Sequence, residues 1–185
     1  VQSLASALTE GGRGVCGTAF PTQPEKSLKL YEFEGSPFCR RVREVMTLLN
    51  LDYEFYPCPK GGQKYRKIVK DKGGKKQFPF LIDENTGAQL YESQEIIHYL
   101  FKHYGKTGQI PRKFSHYPKL PYISALASVA NVGRGIWIDQ QIIDRPAPEK
   151  LLELWSFEAS PYTRLVREVL TELELPYVLH NVPKE

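Results

Sequence analysis

Cys39 is the residue that type and position best suit to chemistry in this 185-residue chain. It follows Ser36-Pro37-Phe38, and a serine before a proline reads as a helix start, with Ser as the cap and Pro in the first helical position. A thiol in the first turn of a helix meets free N–H groups and the positive end of the dipole, both of which stabilise thiolate. Two roles for Cys39 stay open at this level, a reactive thiol and a small buried core residue. Cys58, between Pro57 and Pro59, reads as a strand end, and Cys16 lies in a Gly-rich leading stretch. The irregular cysteine spacing forms no metal-ligand pattern and no disulfide framework, so no metal is expected. His98, His103, His116 and His180 also fall outside metal spacing and read as structural. The basic run Lys60 to Lys76, opposed by Asp71 alone, reads either as a solvated face or as a dock for an acidic partner or anionic surface. A net charge of +4 is too weak to argue for nucleic acid. No apolar run reaches the roughly 20 residues a membrane span needs.

The elements that must position these residues occur twice. A shift of 124 positions lays Leu28–Lys60 over Leu152–Lys184 without a gap, with 17 of 33 paired residues identical. That level of identity marks a duplication. Each copy reads as strand, helix, strand. Leu28 to Phe33 is a β-rich run, Val42, Val45, Met46 and Leu49 recur at helical spacing, and Tyr53 to Tyr56 forms the second strand. Val166, Val169, Leu170 and Leu173 repeat the helical stripe. Copy one continues with a short helix over Gly62–Lys70, a strand Phe78–Ile82 containing Pro79, a turn over Glu84–Gly87 and a strand Gln89–Tyr91. Ser93 then caps a last helix with Ile96, Ile97, Leu100 and Phe101 on its apolar face. The expected class is α/β with the order βαβ-α-ββ-α and a mixed four-stranded sheet.

Three segments resemble known motifs. Phe33–Glu44 (FEGSPFCRRVRE) resembles the C-P-F-C active-site segment of glutaredoxins and glutaredoxin-like glutathione transferases. Gln77–Asp83 (QFPFLID) resembles their cis-proline strand, and Tyr91–Ile97 (YESQEII) their Glu-Ser glutathione motif. With the duplication, the chain is similar to a plant and algal plastid family of tandem glutathione-transferase N-terminal-domain proteins, related to the glutaredoxin-like membrane-associated prostaglandin E synthase. The resemblance implies a thioredoxin-like fold, glutathione as co-substrate and a chloroplast location. It implies that the Phe78 backbone beside Pro79 holds glutathione together with Glu92 and Ser93, that Lys64 meets its glycyl carboxylate, and that Ser36 and Cys39 form the catalytic pair. Ser36 stands where that family's first cysteine stands, so dithiol exchange through this pair is excluded. Ser36 then either donates a hydrogen bond to a bound thiolate or acts as a helix cap alone. In copy two Ser160 and Thr163 take these positions, leaving no thiol there.

Residues 1–26 read as a flexible tail, 27–105 as the complete unit, 106–150 as a linker with a helix over Ile123–Ile138, and 151–185 as the first half of a second unit. Half a unit leaves a sheet edge and an apolar face uncovered, so a protein partner or further chain is expected to cover it. Membrane association is expected only through a partner or the 121–138 segment. Two functions follow. One is glutathione-dependent thiol transfer or oxidoreduction, weakened by Ser36. The other is a catalytically silent adaptor or subunit of a larger plastid complex, possibly a membrane or photosynthetic one.

Overall fold

In the computed structural model, the described residues are 14–17, 23–111, 114, 134–139, 141 and 148–184. Copy one runs β1 (Leu28–Glu32), α1 (Pro37–Leu48), β2 (Tyr53–Pro57), α2 (Tyr65–Gly73), β3 (Phe80–Asp83), β4 (Ala88–Leu90) and α3 (Ser93–Tyr104). Copy two supplies β5 (Leu152–Ser156), α4 (Pro161–Glu172) and β6 (Tyr177–Asn181). The expected thioredoxin-like layout is present: β1 pairs parallel with β2 and antiparallel with β3, and β3 pairs antiparallel with β4. Leu28, Leu30, Val42, Val45, Met46, Ile96, Ile97 and Leu100 share one core with no solvent exposure. Each such side chain contributes roughly 1.5–3 kcal/mol by leaving water. Ser93 lies inside the first turn of α3, and Glu92 holds the cap position.

The sheet is larger than the four strands expected of copy one. It has six, in the order β4-β3-β1-β2-β6-β5. Copy two adds to the free edge of β2 through β6, antiparallel, with Tyr53 opposite Leu179, Glu54 opposite Val178 and Phe55 opposite Tyr177. Tyr177 and Leu179 are the repeat equivalents of Tyr53 and Phe55, so the junction is a pseudo-twofold centred on the Glu54–Val178 pair. An unpaired strand edge is a ready template for a second strand, and here the duplicated edge meets itself.

Ion pairs follow the same symmetry. Arg43 Nε donates to Glu158 Oε2 at 2.8 Å, while Arg167 Nε donates to Glu34 Oε2 at 3.1 Å. Glu158 is the repeat equivalent of Glu34, and Arg167 of Arg43, so each copy offers its arginine to the other's glutamate. Both arginines are buried. Arg43 Nη1 also donates to Glu32 Oε1 at 2.8 Å, whereas Arg167 Nη1 finds Ser156 at the equivalent position.

Two short straps complete the pattern. Residues 14–17, expected as part of a flexible tail, are pinned to copy two: Ala159 N–H donates to Gly14 O, and Lys184 N–H to Val15 O. Residues 134–139 are pinned to copy one in the same way, with Gly35 N–H donating to Gly135 O and Lys60 N–H to Ile136 O. Arg134–Ile138 is therefore not helical, contrary to the linker helix expected over Ile123–Ile138; the rest of that expectation, 123–133, lies outside the described residues. Gly14 and Gly135 have φ of 72° and 67°, and a Cβ on either would press on Glu158 or Glu34. Only glycine suits both demands.

Candidate functional site at the end of β1

The chain leaves β1 at Glu32 and turns through Phe33-Glu34-Gly35 into α1. Ser36 is the N-cap, its Oγ accepting from Cys39 N–H at 3.3 Å, with Pro37 in the first turn. This local structure is the one its sequence dictates. Beside it the Phe78–Pro79 peptide is cis, and the Phe33 and Phe78 rings meet edge to face at 6.3 Å. Phe78 lies two residues before Phe80, the first β3 residue in register with β1, so its backbone stands outside the ladder. Gln77 Nε2 donates to Glu92 Oε1. Glu92 is exposed and has φ 62° and ψ 118°, a strained conformation for a residue with a side chain. Ser36, Phe78, Pro79 and Glu92 are thereby linked into one neighbourhood, with the buried Ser93 following Glu92.

Cys39 is brought to the same place but not as an acidic thiol. It is wholly buried. Burial pushes its thiol far above the ordinary range, the charge of Glu32 adds to this, and hydrogen bonding to Ser36 and Phe33 offsets only part of it. Desolvation outweighs the helix-terminus effect because no solvent reaches the sulfur. Cys58 is also buried, with its thiol raised chiefly by burial, while Cys16 is exposed. We expect a thiol alkylator at neutral pH to label Cys16 alone in the folded chain; mass spectrometry before and after urea reads the difference. Rapid labelling of Cys39 would contradict the burial described here.

Lys64 lies at the start of α2, half-buried, where the backbone N–H groups of Gln63 and Lys64 donate to the Glu174 carboxylate of copy two and the Lys64 charge lies close to it. The cation over the Phe78 ring is instead Arg66, its guanidinium 4.7 Å from the centroid. Arg66 Nε donates to Pro59 O at 2.7 Å. Sequence reasoning did not single out Arg66 or Gln77. The signal available was weak, one base among eight in the run from Lys60 to Lys76. Among the described residues no group of three or more His, Cys, Asp or Glu side chains is arranged to hold a metal. No helix among them is long and apolar enough to cross a membrane.

Beneath the site, two of the three carboxylates on Arg43 behave oppositely. Glu32 is raised to about 7, first by burial, which outweighs its single guanidinium partner. Its Oε2 has no hydrogen-bond partner among the described residues. Glu158 is lowered to about 2 because Arg167 and Arg43 together overcome its burial. The sign for Glu32 follows from linkage. The folded state holds its proton more tightly than the unfolded chain, so the group stabilises fully below pH 4.5 and loses that contribution as pH rises through about 7. Glu32→Gln is expected to flatten the stability profile over that interval, with urea melts at several pH values as the readout. An unchanged slope would remove Glu32 as its source.

With this geometry in hand, the comparisons are specific. The family model described as glutathione S-transferase, N-terminal domain, matches residues 30–108 and again 154–185. No curated protein matches the chain.

Proposed function

Because the chain belongs to the glutathione S-transferase N-terminal domain family, we propose that copy one binds glutathione at the end of β1 and presents its sulfur to Ser36. The observation that carries this reading is the neighbourhood of the Ser36-capped helix start, the off-ladder Phe78 backbone and the strained Glu92. An off-ladder backbone edge offers an extended peptide N–H and C=O partners. Glu92 and Ser93, at the start of α3, would take the γ-glutamyl end. Lys64 was the cation expected at the glycyl carboxylate; Arg66, against Phe78, is a second cation near the site. Ser36 Oγ–H would donate to the glutathione thiolate, which then attacks an electrophile or one sulfur of a mixed disulfide, expelling the other sulfur as thiolate. Cys39 stays a neutral thiol behind Ser36, and the activity is weak because Ser36 stands in place of the first cysteine. The same reading includes membership of the plastid tandem family related to the prostaglandin E synthase, and a chloroplast location.

Calorimetry with glutathione tests the site. Saturable binding that Glu92→Ala weakens by about tenfold or more, the loss of a charged hydrogen bond, is the expected result. No heat at millimolar glutathione, on a folded protein, would overturn the reading.

A second reading, an adaptor within a larger plastid complex, is favoured by one observation. Copy two exposes Val166 and Val169 on α4 and Trp155 on the other side of the sheet, apolar exposure of the kind that marks interaction surfaces.

A further inference from the structure

Copy two reaches the neighbourhood of the site through Glu174, in the turn between α4 and β6. Its carboxylate accepts from the backbone N–H groups of Gln63 and Lys64, where the chain enters α2, and lies close to the charges of Lys64 and Arg66. Gly62 leaves room for it, since a Cβ there would collide with Glu174 Oε1. Lys64 is the cation expected at the glycyl carboxylate of glutathione. A carboxylate of the chain itself already stands beside it.

Local structure does not favour a glutamate at this position. Glu174 has φ 45°, in the left-handed region that a long side chain enters only with strain. The repeat-equivalent residue, 124 positions earlier, is Asn50 at φ 52°, a residue type that tolerates this conformation. Glu174 is also only 2% exposed. Burial raises its carboxyl above the ordinary range, and the two N–H groups with Lys64 and Arg66 offset part of that. Its Oε1 has no hydrogen-bond partner among the described residues, and a buried oxygen without a donor costs stability. A residue that carries both costs points to a role at the site and not to stability.

We infer that Glu174 stands in for the ligand's carboxylate at the start of α2. Copy one then takes a γ-glutamylcysteinyl peptide whose carboxyl side is uncharged at that point, amidated or continued as a chain, in preference to glutathione. This rests on the glutathione-site reading above and narrows its ligand. The N–H groups of Gln63 and Lys64 are occupied, and the charges of Lys64 and Arg66 are answered by Glu174. A second carboxylate placed there meets a like charge where water screens poorly. A neutral amide meets no such penalty, and the γ-glutamyl end at Glu92 and Ser93 is unaffected. Repulsion of the wrong ligand sets specificity as surely as attraction of the right one.

Calorimetry on the whole chain compares three peptides: glutathione, the same tripeptide with its glycyl carboxyl amidated, and γ-glutamylcysteinylglycylglycine. The amidated or the lengthened peptide should bind about tenfold more tightly than glutathione, or better, as expected when a like-charge contact is avoided. Which of the two does so separates an amidated ligand from a continued one. In Glu174→Gln, glutathione should gain about tenfold or more while the amidated peptide changes little. Glu174→Asn, which matches Asn50 at the strained position, should act in the same direction without lowering the urea midpoint, so the effect is read on folded protein. Equal affinities for the three peptides in the native chain, or a Glu174→Gln substitution that moves all three alike or none, overturns the inference and leaves the glutathione site standing. Binding of the amidated peptide where glutathione gives no heat supports the inference and removes glutathione as the ligand. No binding of any peptide, to the native chain or to Glu174→Gln, overturns the inference and the site reading together.

Discussion

Arg43→Ala is expected to lower the unfolding free energy by about 3–5 kcal/mol, the cost of leaving buried carboxylates without their cation. Among the described residues, Arg43 is the one side chain in ion-pair contact with Glu32, Glu34 and Glu158 at once, at 2.8, 3.4 and 2.8 Å. All three carboxylates are buried. Removing the guanidinium leaves Arg167 to serve Glu34 and Glu158, and leaves Glu32 without an ion-pair partner among the described residues. Arg43→Lys should recover little, because a single ammonium cannot reproduce a fork that contacts carboxylates from two copies at once. The shift of the urea midpoint measures the loss. A midpoint unchanged in Arg43→Ala would mean that the junction between copies is held by the β2–β6 pairing and not by the ion network. The repeat-equivalent Arg167→Ala should cost less, since Ser156, unlike Glu32, is left uncharged.

The second large effect is an asymmetry between identical residues. Val42 and Val166 occupy the same repeat position, yet Val42→Asp should cost about 4 kcal/mol or more, while Val166→Asp should stay within about 1 kcal/mol in the isolated chain. Val42 is sealed between the sheet and α3; Val166 is nearly half exposed. A carboxylate at Val42 must either be neutralised or carry water into the core, whereas at Val166 it is simply hydrated. Thermal melts of the two variants decide the matter. Similar losses in both would mean that copy two is closed by residues of the chain itself.

Much of the fold was legible because its determinants are local. Ser36 and Ser160 precede prolines, and each caps its helix through the amide three residues on. The stripes at Val42 and Val166 have helical period wherever they end up, and the Pro79 strand and the α3 stripe were recognisable in the same way. The strap glycines were hidden although Gly12-Arg13-Gly14-Val15 recurs as Gly133-Arg134-Gly135-Ile136. Their spacing is 121 and not 124, so an ungapped repeat passes over them.

What tertiary structure alone decided is the fate of each chemical group. The sequence left Cys39 open between a reactive thiol and a buried core residue, because the acidity of a thiol depends on how much water reaches it, and that is set by strands and helices distant in sequence. Arg43 and Glu44 look like an ordinary exposed pair on a helix face, yet both are buried because a duplicated edge was available to pair with itself. The repeat by itself determined that two equivalent surfaces exist. Only packing decided that Glu34 answers Arg167, 133 residues away, and that one apolar face is core while its twin meets water, because burial is a property of what covers a residue and not of the residue.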